Sequence, residues 1–115
     1  MNYSEMSDFE VNLAVAHIAL GVDGYDWSKE KQEVYIAGMD GGEFLPQAHF
    51  NPCKSWSDAG IFIEDYQISL DAIYEGGPRW LSFAGDDGQF RHVDSNPRRA
   101  AMIVFLMIQE DSCAN

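Results

Sequence analysis

Read by the spacing of apolar and polar residues, the chain divides into five stretches with recognisable periods. In "SDFEVNLAVAHIALG" (7–21), Phe9, Leu13, Ala16 and Leu20 recur at three and four residues, and Val11, Val15 and Ile18 widen the apolar coverage. That period predicts a helix packed on more than one side. Ser7 as N-cap, Glu10 three positions later and Gly21 at the end supply its boundaries. His17 lies within this pattern and is read as a structural or surface histidine. "VDGYDWSKEKQ" reads as a polar connection, and "EVYIAGM" as a short strand with Val34 and Ile36 on one face and Tyr35 on the other. "DGG" (40–42) turns the chain, and "EFLPQAHF" forms an irregular strand that Pro46 interrupts or pushes to an edge.

Further on, Ser55 caps a helix beginning at Trp56, with Asp58 at the third position as the reciprocal acid. Trp56, Ala59, Gly60, Ile63 and Tyr66 recur at helical spacing, so Trp56 and Tyr66 are expected as core anchors and Gly60 as a point of close helix approach. In "QISLDAIYEGGPRWLSFAG", Ile68, Leu70 and Ala72 alternate with Ser69 and Asp71, and Trp80, Ser82 and Ala84 alternate with Leu81 and Phe83. With Gly76-Gly77-Pro78 between them, residues 68–74 and 79–84 predict an antiparallel hairpin with one buried face. "DDGQFRHVDS" reads as a turn-rich loop, whose Asp86 and Asp87 lack the ligand spacing of a calcium loop.

The last stretch, "SNPRRAAMIVFLMIQED", predicts a helix with Asn96 as N-cap and Pro97 in the first helical position. Ala100–Ile108 is apolar without interruption, which predicts a central helix enclosed on all sides, with Phe105 in the core. The fold class expected is α+β: a single domain over 1–115 with about three helices and a short antiparallel sheet containing the hairpin.

Charge alters the picture at one place. The 115 residues hold 19 acidic against 7 basic side chains, a formal net charge of -12. That balance opposes contact with phosphate backbones and anionic membranes, so neither direct nucleic-acid binding nor membrane association is expected. Arg98 and Arg99 nevertheless stand together at a helix start, where the macrodipole favours carboxylates. Three explanations compete: ion pairs with Asp94, Asp86 or Asp87; contact with a partner protein's carboxylates; or a grip on a small phosphate or carboxylate beside the helix N–H groups. Arg98, Arg99 and Asn96 are therefore the candidate partner- or ligand-binding residues.

No catalytic signature accompanies them. The chain lacks a dinucleotide-binding glycine pattern, a phosphate loop and a nucleophile elbow. His17, His49, His92, Cys53 and Cys113 are the candidate metal ligands; His49 and Cys53 lie four apart across Pro52, without a second paired motif, so no metal site and no cofactor are expected. Cys53 beside Lys54 has no identifiable base to make it a nucleophile. Two widely separated cysteines and a first segment, "MNYSEMSDFE", without a basic and apolar signal pattern point to a reducing cytoplasm.

Three blocks carry a resemblance: "SDFEVNLAVAHIAL" (7–20), "FNPCKSWSDAGIFIEDYQISL" (50–70) and "NPRRAAMIVFLMIQE" (96–110). In order and content they resemble the phage NinX-like family, small proteins of tailed bacteriophages and related prophages. The matching positions are Asn51, Pro52, Asp58, Ala59, Glu64 and Ile68–Leu70, then Asn96, Pro97, Arg99, Ala100, Ala101 and Met102; Ile61 stands where relatives often carry proline. The resemblance implies a phage origin and the cytoplasm of an infected bacterium, and it implies no particular chemistry. The expectation ranked first is a noncatalytic accessory protein that binds a host or phage protein. A small-anion binder using the Arg98/Arg99 corner ranks second and an enzyme of unrecognised type third, with self-association left open.

Overall fold

A computed structural model of the chain describes the backbone of residues 2–40 and 43–113, and its side chains apart from those of 38–40, 43–48 and 113. The fold is α+β, with three α-helices and two antiparallel sheets of three strands each among the described residues. The chain divides into two compact units, Met1–Asn51 and Pro52–Asn115.

The first unit contains α1 (Asp8–Leu20), β1 (Tyr25–Ser28), β2 (Glu33–Asp40) and β3 (Glu43–His49). Ser7 Oγ accepts the Glu10 N–H at 3.1 Å while Glu10 Oε1 accepts the Ser7 N–H at 3.0 Å, the reciprocal cap expected from the sequence. Gly21 ends the helix at φ +79°, where a side chain would be strained. The buried residues of α1 are Phe9, Val11, Asn12, Val15 and Ala16, one arc of about 160° at 3.6 residues per turn. This corrects the expected stripe, because Leu13 and Leu20 lie at its margin and Ile18 is exposed. Asn12 sits inside the arc and donates through Nδ2 to Asn51 Oδ1 at 2.8 Å, so a polar pair within the chain decides which side of the helix is covered.

β1 corrects the reading of 22–32 as a plain connection. It pairs antiparallel with β2, Tyr25 opposite Ile36 and Trp27 opposite Val34. The alternation of Tyr25 and Trp27 with Asp26 and Ser28 is strand-like, but its charged surroundings hide it. β3 is an edge strand, with a register shift on β2 between Ile36 and Ala37, which agrees with the irregular strand expected around Pro46. The glycines of the expected 40–42 turn lie outside the described residues.

The second unit contains α2 (Trp56–Asp65), β4 (Ser69–Ile73), β5 (Arg79–Ala84), β6 (Phe90–Asp94) and α3 (Pro97–Cys113). β4 and β5 form the expected hairpin, Ser69 opposite Phe83 through Ile73 opposite Arg79, turned by Gly76 at φ +77° and Gly77 at φ +104°. β6 is a correction: the turn-rich segment after Gly85 returns as a third strand, with Phe90 opposite Ala84 and Asp94 opposite Trp80. The register puts Leu70, Ala72, Trp80, Ser82, Ala84, Phe90, His92 and Asp94 on one face and Ser69, Asp71, Ile73, Arg79, Leu81, Phe83, Arg91 and Val93 on the other.

α3 packs against β4, β5 and β6 and against α2. Its residues Ala100–Leu106 are all buried, and the Phe105 ring meets Phe62 at 4.9 Å and Tyr66 at 5.1 Å between centroids. Tyr66 touches the Phe105 ring but is 40% exposed, so it lies at the rim of the core and not within it as expected. Beyond its own helix backbone and chain neighbours, Gly60 has no atom of the described residues within 4 Å of where a Cβ would stand, so they make no close approach there of the kind expected. Trp56 is also corrected: half exposed at the first position of α2, it belongs to the surface described next.

Candidate functional site

The start of α3 draws together three segments of the second unit: the end of β6, the Asn96-Pro97 helix entry and the residues leading into α2. Asn96 Oδ1 accepts the N–H groups of Arg98 at 3.0 Å and Arg99 at 3.3 Å, and Asn96 O accepts that of Ala100 at 3.0 Å. Pro97 has no N–H. Every backbone donor of the first turn is therefore spent within the chain. Asn96 also donates through Nδ2 to Cys53 O at 2.6 Å and through its own N–H to Asp94 Oδ1 at 3.0 Å.

The two arginines separate completely. Arg99 is buried, 8% exposed, and its Nε donates to Asp94 Oδ2 at 2.9 Å. Asp94 is the carboxylate that a helix start favours, and it offsets the arginine charge placed against the dipole. The same Oδ2 lies 3.5 Å from His92 Nε2, on a histidine that the β6 alternation turns to the α3 side. Beside it, directly across the strands, Ser82 is fully buried and its hydroxyl has no hydrogen-bond partner among the described residues. A serine, a histidine and an aspartate on one sheet face suggest a hydrolase at first sight, but a nucleophile at zero exposure beneath a helix is out of a substrate's reach.

Arg98 instead lies outward. Its guanidinium carbon stands 4.9 Å from the centre of the Trp56 ring, and its Nε points to Cys53 O at 3.5 Å, at the limit of a hydrogen bond. Trp56 beneath it is 50% exposed. The ring and the carbonyl hold the guanidinium plane and leave the outer edge, both terminal nitrogens, with no acceptor among the described residues. Lys54, the residue after that carbonyl, is exposed as well. Of the loop acids weighed as partners, Asp94 pairs with Arg99, while Asp86 and Asp87 are exposed in the β5–β6 turn.

Trp56, His92 and the Cys53 carbonyl were not among the expected site residues. Trp56 could have been found from its place in a first helical turn, which commonly faces solvent, and His92 from its period-two alternation with Phe90 and Asp94.

The candidate metal ligands do not assemble: among the described residues no group of three His, Cys, Asp or Glu side chains is placed to hold an ion. Cys53 is buried, and the Cys113 side chain lies outside the described residues. On the first unit, His17 Nδ1 lies 3.0 Å from the Tyr25 hydroxyl, and His49 Nδ1 lies 3.4 Å from Glu33 Oε2. Glu33 also accepts the Tyr35 hydroxyl at 2.7 Å. That hydrogen bond is the main reason the Tyr35 phenol is raised above its ordinary value, with desolvation and the charges of Glu33 and Asp26 adding to it.

The family model described as Bacteriophage P22, NinX, matches residues 2–109. Curated proteins gave no match. Among the described residues no helix is long and apolar enough to cross a membrane.

Proposed function

Because this chain belongs to the Bacteriophage P22 NinX family, we propose that it is a noncatalytic phage accessory protein that binds a host or phage protein in the cytoplasm of the infected bacterium. One observation carries the reading: Arg98 is pre-oriented on a half-exposed Trp56 with its outer edge unfilled, in a chain where acids outnumber bases 19 to 7. A guanidinium held in plane matches a carboxylate with two parallel hydrogen bonds, and the tryptophan supplies the rigid apolar area common at protein contacts. Arg98 touches the partner in this reading, while Arg99 and Asn96 hold the helix start in place. The small-anion alternative relied on free N–H groups at the same corner, and Asn96 already occupies them.

The test is affinity capture from infected-cell lysate with wild type, Arg98→Met and Trp56→Ala, after circular dichroism shows all three folded. Selective loss of one identified protein in both variants supports the reading, and identical captured material from all three refutes it. Loss of a phosphate- or carboxylate-bearing metabolite instead would favour the alternative. Duplex or single-stranded DNA added at about 0.15 M salt should not compete, given the net charge. The chain is taken to work as one domain, which requires Trp27 in the first unit and Trp80 in the second to report a common unfolding midpoint.

A further inference from the structure

Within the second unit, α3 covers one face of the sheet. On its other face the register aligns Ile73, Leu81, Phe83 and Val93, with Arg79 beside Ile73 at one end, Arg91 beside Phe83 at the other, and the exposed Asp71 beside Leu81 and Ser69 beside Phe83 on β4. Val93 is 42% exposed, and Ile73, Leu81 and Phe83 are only half-buried. Each arginine is tied back to the hairpin turn it follows: Arg79 Nη2 donates to Glu75 O at 2.9 Å and Arg91 Nε to Gly88 O at 3.0 Å. Both side chains are exposed and neither is ion-paired with a described acid. Two fixed cations at opposite ends of the strip, against one exposed acid, Asp71 on its β4 edge, leave this face net positive in a protein of net charge -12.

We infer that this face docks an acidic amphipathic helix of a partner protein, its apolar side on Leu81, Phe83 and Val93 and its carboxylates on Arg79 and Arg91. The dimensions suit one helix. Five residues of strand and three strands give a strip of about 17 by 10 Å, and a single helix, α3, covers the opposite face. Arg79 and Arg91 lie four residues and one strand apart, about 14 Å between Cα atoms. Because both side chains lean outward to their turns, the matching acids stand about eleven residues apart, three helical turns on one side of the partner. A second copy of this chain fits poorly: a two-fold contact would gather four arginines against two copies of Asp71 and set one chain of net charge -12 against another. Nucleic acid fits poorly too, since Phe83 is the single aromatic ring on the strip. The face is distinct from the Arg98 corner, and its proposal stands or falls separately.

The probes are two synthetic 18-residue amphipathic peptides with the same apolar side, one carrying glutamates eleven positions apart and the other lysines there. Titrated by fluorescence anisotropy against the full chain, the glutamate peptide should bind at least tenfold more tightly. Backbone amide shifts should cluster on β5 and β6, and the Arg79→Glu/Arg91→Glu double variant should invert the preference. Arg79→Gln/Arg91→Gln should abolish the discrimination, and Arg98→Met should leave it unchanged. Equal affinity for both peptides, no saturable binding, or shifts clustered elsewhere on wild type would overturn the inference. So would wild-type self-association that Val93→Glu abolishes, because the strip would then belong to a second copy. The wild-type shifts decide the matter even if a charge variant fails to fold.

Discussion

Removing Arg98 and Arg99 one at a time should separate two side chains that a sequence reading treats as a pair. Arg99→Met keeps most of the stem volume and removes the donors, leaving Asp94 largely buried with the Asn96 N–H on one oxygen and His92 near the other. Breaking a fully buried pair from one side costs about 3–5 kcal/mol. Here the Asp94 side chain keeps 16% exposure and one strong hydrogen bond, so about 2–3 kcal/mol is the expected loss. Arg98→Met gives up a cation–π contact on a half-exposed ring, worth about 0.5–1 kcal/mol, and relieves a cation at the positive end of the helix by a similar amount. Its net cost should be near zero. Urea unfolding of both variants, with Asp94→Asn completing a double-mutant cycle, measures each quantity. Similar losses for the two arginines, or an Asp94–Arg99 coupling below about 0.5 kcal/mol, would show that the pair does not hold the helix entry.

Phe105→Ala should cost about 3–5 kcal/mol by chemical denaturation, because the ring is buried between Phe62 and Tyr66, and a loss below about 1 kcal/mol would contradict that packing. Gly60→Ala should stabilise by up to about 1 kcal/mol, since nothing obstructs the added methyl and alanine is the better helix former; a drop in the thermal midpoint would mean α2 is approached more closely than described. Tyr35 should ionise above the ordinary tyrosine value of about 10, and Glu33→Gln should lower its midpoint in a phenolate absorbance titration in which Tyr35→Phe identifies the transition. Its raised value makes the contribution to stability complete below the unfolded-chain value and lost as pH rises through the folded one. A midpoint unmoved by Glu33→Gln would remove the cause assigned to it.

What the sequence determined by itself is what contacts between residues three or four apart determine. The Ser7–Glu10 cap, the Ser55 cap on Asp58, the Asn96-Pro97 entry and the Gly76-Gly77 hairpin turn all close over a few residues, so their signals are local. The unbroken Ala100–Leu106 run likewise identifies an enclosed helix without naming its neighbours. Family membership was legible for a similar reason, since it is carried by ordered blocks along the chain. Other choices belonged to the tertiary structure. β1 and β6 are short and rich in polar residues, and become strands because β2 and β5 offer them a ladder. The covered side of α1 turns on Asn12 meeting Asn51, 39 residues away, although an apolar count would place that side elsewhere. Arg98 and Arg99 are chemically identical neighbours, yet the 100° turn between successive helical positions sends one toward Asp94 and the other over Trp56. Neither sequence spacing nor charge says which one is buried; that depends on where α2 begins relative to α3, a contact between segments more than forty residues apart.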